Sequence, residues 1–259
     1  MAEQRESKGK LLGLNFLVGG VYGVIAQLIG VALEGVVGVA FAAPMTLICL
    51  GVLAVILYTP GIHQKLAAVS GFGSILPFNG FACGIADAFQ AGHANGGGFS
   101  GGMKGVGKLF FHVIVLSSII NMVAGVLANF VPFPKVLAPE AVSMPVALCA
   151  GFVVAGLVCL FWQLLYDAVG QPAMPDFLLF SQSLGGILSL FGLTDVLASL
   201  GGYSFKVLIL GAGQAVEATT ALCFLQGPLM LIITWGTFFA LAFFGILAAN
   251  LNLKVKGEK

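Results

Sequence analysis

Four ionisable residues fall inside otherwise apolar stretches of the chain: Asp87, His112, Lys206 and Glu217. A charge at membrane depth costs a few kcal/mol or more, so each is a functional candidate by default. Glu217 has Gln214 three residues before it and Thr220 three after, which sets a polar face on one helix. That face is expected to line a pathway. Asp87 either lines a pathway too or marks a helix end at the membrane interface. Lys206 has a stem long enough to snorkel toward water. His112 falls just inside its apolar stretch, close in sequence to Lys108. Asn79-Gly80 follows Pro77, where an interrupted helix would restart. Free N–H groups and the positive end of the macrodipole at such a point favour an anion.

These residues do not add up to hydrolytic or redox chemistry. His63, His93 and His112 are separated in sequence, and neither an HExxH pair nor a GxSxG elbow is present. The cysteines Cys49, Cys83, Cys149, Cys159 and Cys223 form no CxxC pair, and each lies in an apolar run. They read as small buried hydrophobes. The glycine-rich stretch Ala91–Gly102 lacks the lysine and hydroxyl ending of a phosphate-binding loop and reads as a flexible, exposed connector. An intramembrane enzyme using Glu217 and His112 is a minor reading. The expectation is a protein that is not an enzyme and holds no metal or cofactor.

The elements that must position these residues follow from composition. The chain has 259 residues, of which 59% are hydrophobic and only 8% charged. Soluble domains carry about 25% charged residues, so this chain has too little polar side chain to coat a soluble core. A net charge of +1 argues against nucleic acid as a partner. Crossing about 30 Å of hydrocarbon takes roughly 20 apolar residues. Leu11–Leu33, Phe41–Tyr58, Leu109–Val131, Ala141–Tyr166 and Gly227–Leu251 meet that requirement, and Phe177–Leu193 is short but uncharged. Leu11–Leu33 is too long for a signal-peptide core and is read as a retained helix. Leu66–Ala86 is broken by Gly71, Gly73, Pro77, Asn79, Gly80 and Gly84, and Gly201–Phe224 by Lys206, Gly211, Gly213, Gln214 and Glu217. Unpaired backbone in lipid is costly, so both segments are expected to be broken or re-entrant helices buried in protein or lining a wet cavity.

The halves share a register. Phe16 to Gln27-Leu28 and Phe152 to Gln163-Leu164 have one spacing, which makes Gln27 and Gln163 counterparts. Gly61, Gly71 and Gly80 run parallel to Gly192, Gly202 and Gly211, and Gly107-Lys108-Leu109 sits opposite Gly227-Pro228-Leu229. The expected fold is all-α: a polytopic membrane protein with two pseudo-symmetric repeats, each of three or four membrane helices including one broken or re-entrant segment. The expected divisions are a tail at 1–10, repeat one at 11–130, a Pro-rich connector at 131–144, repeat two at 145–252 and a tail at 253–259. Placing both termini in the cytoplasm puts nine Lys and Arg residues inside and two outside. The count is the same for eight crossings with parallel repeats and for six with inverted repeats, in which Lys104 and Lys108 are inside and Lys135 and Lys206 outside.

The stretch Gly71-Phe72-Gly73-Ser74-Ile75-Leu76-Pro77-Phe78-Asn79-Gly80-Phe81-Ala82, with Ile85 beyond it, resembles a signature of the stage V sporulation AC/AE membrane-protein family, approximately GxGxxxPxTGFxxxI. Asn79 stands where Thr is common. Gly102–Phe110 resembles the family's glycine-and-lysine lead into its last helix, and Gly227-Pro228 is similar to that helix's opening. Family members are about half this length, so the chain resembles two units fused, the second diverged. The resemblance implies a protein of the bacterial inner or forespore membrane. It also implies movement of dipicolinic acid, with calcium, in sporulation and germination, alongside membrane and soluble partner subunits. An anionic dicarboxylate would suit Asn79-Gly80 with Lys104 and Lys108 nearby.

The resulting expectation is a transporter or channel subunit for a small anionic solute, possessing a pathway that draws on Gln27, Asn79, Gly80, Asp87, Lys104, Lys108, His112, Gln163, Gln214 and Glu217. The alternative is a non-transporting membrane scaffold that assembles partner subunits as a homo- or hetero-oligomer. Small residues such as Gly19, Gly20, Gly23, Gly185 and Gly186 suit close helix packing under either reading.

Overall fold

The computed structural model describes residues 2–139 and 143–257, with side chains from Ser7 onward. Glu140 of the expected connector, the Arg5 side chain and Lys259 lie outside the described residues. The first half contains α1 (Ala2–Val37), α2 (Val39–Tyr58), α3 (Ile62–Ser70), α4 (Phe72–Ile75), α5 (Phe78–Gly92), α6 (Gly98–Phe110) and α7 (Leu116–Phe130). The second contains α8 (Met144–Ala168), α9 (Met174–Leu190), α10 (Leu193–Gly201), α11 (Tyr203–Lys206), α12 (Ile209–Gln226) and α13 (Leu229–Lys256). The expected tails are largely helical, because α1 starts at Ala2 and α13 runs to Lys256.

Among the described residues, five helical stretches are long and apolar enough to cross a membrane, and α9 with α10 meets the same requirement only as a pair bent by 100°, the geometry of a broken span or a re-entrant segment. The stretch Phe78–Phe130 is 53 residues long. Run straight it would extend about 80 Å, far beyond a bilayer core. Instead it folds back at the π-helical turn His93–Gly97, so that Gly92 packs on Gly101 and Gly105 on Ala88. The flexible connector expected at Ala91–Gly102 is therefore a helical hairpin, whose glycines let the two backbones touch. Beyond it, α6 runs into α7 through a second π turn, Phe111–Val115.

Pairwise contacts fix the helix directions. On α1 and α8, Phe16 packs on Gly156, Gly20 on Phe152 and Gly23 on Gly151, so the two helices are antiparallel. The Phe16 and Phe152 rings meet edge to face with centroids 5.5 Å apart. A Cβ on Gly20 would come within 2.6 Å of the Phe152 ring, so the close approach depends on glycine. α13 runs parallel to α5, from Phe238 stacked on Phe78 to the bond that Gln90 donates to Asn252 at 2.8 Å. α7 runs parallel to α12, with Gly125 on Glu217 and Thr220, and Asn129 donating to the Ala221 carbonyl. Because α6 opposes α5 and leads into α7, α5 and α12 point in opposite directions.

Backbone geometry recurs at matched positions. Gly61 and Gly192 have φ 79° and 73°, and Gly71 and Gly202 have φ 50° and 54° with ψ −125° and −132°. Those two breaks need the region of φ that glycine reaches at little cost. The core is aromatic, with Phe72, Phe78, Phe81, Phe89, Trp162, Phe205 and Phe238 almost fully buried. Outward faces carry exposed apolar residues such as Leu17, Ile56, Val123, Phe161 and Phe243, as lipid-facing helices do.

Candidate functional site

The interrupted segments of the two halves meet. Phe78 N–H donates to the Val207 carbonyl at 3.0 Å, and Ile209 N–H to the Leu76 carbonyl at 3.1 Å, forming an antiparallel bridge between Pro77 and Leu208. A helix break leaves backbone groups without partners, and inside an apolar protein they must be satisfied. Here each break satisfies the other. From this crossing α5 and α12 depart in opposite directions, so the positive ends of two helices face one place.

At the start of α5, Asn79 is fully buried, and neither amide atom has a protein hydrogen-bond partner. The Tyr22 hydroxyl lies beside it and is likewise without a well-aligned partner. The two glycine breaks are capped crosswise. Gln27 of α1 accepts from Tyr203 N–H at 2.7 Å, and Gln163 of α8 accepts from Phe72 N–H at 3.2 Å. Gln163 also accepts from Asn15 and donates to Asp167, which is paired to Lys8.

A cavity lies against each departing helix. Cavity one, about 460 Å³, is lined by His63 and Gln64 of α3, Gly80, Gly84 and Asp87 of α5, Leu109 of α6, and Met174 and Leu178 at the start of α9. Cavity two, about 290 Å³, is lined by Lys206, then Gly211, Gln214, Ala215 and Thr219 of α12, Ala43 and Leu47 near the start of α2, and Thr234 and Thr237 of α13. The walls correspond position by position: Ile75 with Lys206, Gly80 with Gly211, Gly84 with Ala215, and Met174-Pro175-Leu178 with Ala43-Pro44-Leu47. Since α5 and α12 diverge, the cavities lie on opposite sides of the crossing.

Residues 12–127 match the family model for SpoVAC/SpoVAEB sporulation membrane protein, a span that includes the Gly71–Ile85 stretch of the crossing. Those residues form a domain of that family. No curated protein and no solved structure matches it. The SpoVAC/SpoVAEB match ends within α7 and does not extend to α8–α13. It therefore contains one side of the crossing and most of cavity one.

The sequence candidates fall into three groups. Gly80 and Asp87 line cavity one, Gln214 lines cavity two, and Asn79 sits at the crossing. Asp87 accepts from the Tyr58 hydroxyl at 2.6 Å, and Gln214 donates to Asp195 at 2.6 Å. Gln27 and Gln163 cap the breaks instead of lining a cavity. Glu217 is buried beside α9, where Ser189 donates to it at 2.7 Å, and is not among the residues lining cavity two. His112 forms a 2.7 Å pair with Asp176 in an exposed position, joining the α6–α7 turn to the start of α9. Lys104 and Lys108 are exposed on α6 and line neither cavity. Lys206 does line one, with its Nζ 4.9 Å above the Tyr203 ring, whose hydroxyl donates to Glu34.

Sequence reasoning passed over Tyr58, Ser189, Asp195, Glu34 and Asn15. Tyr58 and Ser189 each stand three residues before the matched glycines Gly61 and Gly192, and both hold an acid on the helix that leaves the crossing. Carrying the register of the halves back to those positions would have found them. For Glu34 and Asn15, whose partners lie more than a hundred residues away, no local signal exists.

Proposed function

We propose that this chain is a transporter or channel subunit that moves a small anionic solute between the two cavities, past the Pro77–Leu208 crossing. The observation that carries the reading is the pair of cavities with corresponding walls, one on each side of a junction of broken helices. Helix termini meeting at mid-depth are a recurring way to build a solute site in a membrane. Three features favour an anion there: the two convergent helix N-termini, the unpartnered Asn79 amide and Lys206 in cavity two. Dipicolinic acid, a planar dicarboxylate, is the solute that the sporulation family matched by residues 12–127 suggests.

We also read the halves as an inverted duplication. The antiparallel packing of α1 on α8, the recurrent glycine geometry and the crosswise Gln27 and Gln163 caps support it. On this reading α1, α2, α6–α7, α8, α9 and α13 cross the membrane, while α3–α5 and α10–α12 dip in and return. The termini, the His93–Gly97 turn and the mouth of cavity one then face the cytoplasm, and Lys135 and cavity two face the other side. The positive charges divide nine to two in favour of this orientation.

The test is flux of dipicolinate from liposomes containing the purified chain. Release faster than from protein-free liposomes is expected. Dipicolinate that stays sealed in would return the protein to a scaffold role.

A further inference from the structure

Of two corresponding interfaces between the halves, α9 with α7 is polar where α2 with α13 is packed with hydrocarbon. Between α2 and α13, Gly51 packs on Leu241 and Phe244. Between α9 and α7, Asn121 fills the space over Gly186 and donates to the Gln182 carbonyl at 3.0 Å. Ser118, Asn121, Ser181 and Gln182 are all fully buried. The Ser118 and Ser181 hydroxyls, the Asn121 side-chain oxygen and both Gln182 amide atoms lack a protein partner. Leaving one such group unsatisfied costs about 1–3 kcal/mol, and bridging water is the usual remedy where several cluster.

These groups form a polar track along the α7–α9 interface. Leu178 lines cavity one. Ser181 and Gln182 follow within about one turn, and two turns further Ser189 donates to Glu217 at 2.7 Å. Gly185 packs on Gly213 and Ser189 bonds Glu217, so α9 runs parallel to α12, away from cavity one and toward the opposite side of the crossing. The track ends at a buried carboxylate. Among the described residues, the charged groups facing Glu217 are Asp195 on α10 and Lys135 in the connector. Gly125 of α7 packs on the Glu217 backbone, Ser189 of α9 donates to its carboxylate, and Lys206 of α11 faces cavity two.

We propose that this track is a hydrated proton path from cavity one to Glu217, and that Glu217 is its proton-binding group. A proton from hydronium adds to a Glu217 carboxylate oxygen, leaving water, and departs to water on the far side. The Ser189 hydroxyl supports the ionised carboxylate between these events. Intramembrane carboxylates reached through neutral polar groups are the usual relay elements of proton-driven membrane proteins. The path shares cavity one with the solute reading but requires no solute, so the two can fail separately.

The test uses the full chain in liposomes that hold a pH-sensitive dye, with the membrane potential clamped and no dipicolinate present. After an external acid jump, wild-type liposomes should acidify faster than empty ones. Glu217→Gln should bring the rate down to that of empty liposomes, Glu217→Asp should keep it above, and Gln182→Leu should lower it by breaking the track. Wild-type rates equal to those of empty liposomes would overturn the proposal, as would undiminished rates in Glu217→Gln. If Glu217→Gln fails to fold, an unaltered rate in a folded Gln182→Leu protein overturns it instead.

Discussion

Gln27 on α1 accepts a hydrogen bond at 2.7 Å from the backbone N–H of Tyr203, 176 positions away. That N–H belongs to the first helical residue after the Gly202 break, and Tyr203 is buried. Gln163 does the same for Phe72 after the Gly71 break. Each half thus depends on the other to satisfy its interrupted backbone.

It follows that Gln27→Leu should destabilise the protein although it adds apolar surface to an apolar interior. A buried N–H left unpaired costs about 1–3 kcal/mol. Thermal unfolding in detergent should show a lower Tm for Gln27→Leu and for Gln163→Leu. Gln163→Leu also strips partners from Asn15 and Asp167. A wild-type Tm for both variants would show that the breaks find other acceptors.

Substitution at Gly71 should be worse than at most glycines of this chain. Its φ of 50° is one that L side chains rarely adopt, and a Cβ there would run into the Gln163 side-chain oxygen that caps the break. Strain of this kind costs about 1–3 kcal/mol before any steric term. Gly71→Ala should therefore lower the Tm, whereas Gly107→Ala, where a Cβ meets nothing within 4 Å, should leave it close to wild type.

The two cavities differ in sign, which gives a prediction about flux. Lys206 lines one and Asp87 the other. For an anion, Lys206→Met should slow dipicolinate release, and Asp87→Asn should quicken it or leave it unchanged, with Tyr58 still able to bond the amide. The opposite pair of changes, measured in liposomes, would mean that the permeating species is a cation.

Topology can be checked from one turn. In a background without the five native cysteines, all of them free thiols among the described residues, a single cysteine at Asn95 should react with an impermeant reagent from the same side as the termini. One at Lys135 should react from the other side. Labelling of Asn95 from the side opposite the termini would restore eight full crossings and parallel halves.

The membrane setting, the helical class and the places where helices break were legible in the sequence, because each depends on local properties. Apolar length decides what can cross a bilayer, and Gly71, Pro77 and Gly202 stand where the helices break. The equal spacing that pairs Gln27 with Gln163 was legible too, since spacing is read directly from the chain. What those residues do was decided only by tertiary structure. The sequence placed Gln27 and Gln163 in a pathway, but the fold uses them to cap the opposite half. Lys104 and Lys108 are near Asn79 along the chain, yet α6 turns them outward, while Lys206 comes to a cavity wall through the bend at Gly202. Helix direction was likewise hidden, because the charge count is the same for six or eight crossings. Contacts such as Phe16 with Phe152 and Pro77 with Leu208 set that direction, and they join residues that hydropathy cannot connect.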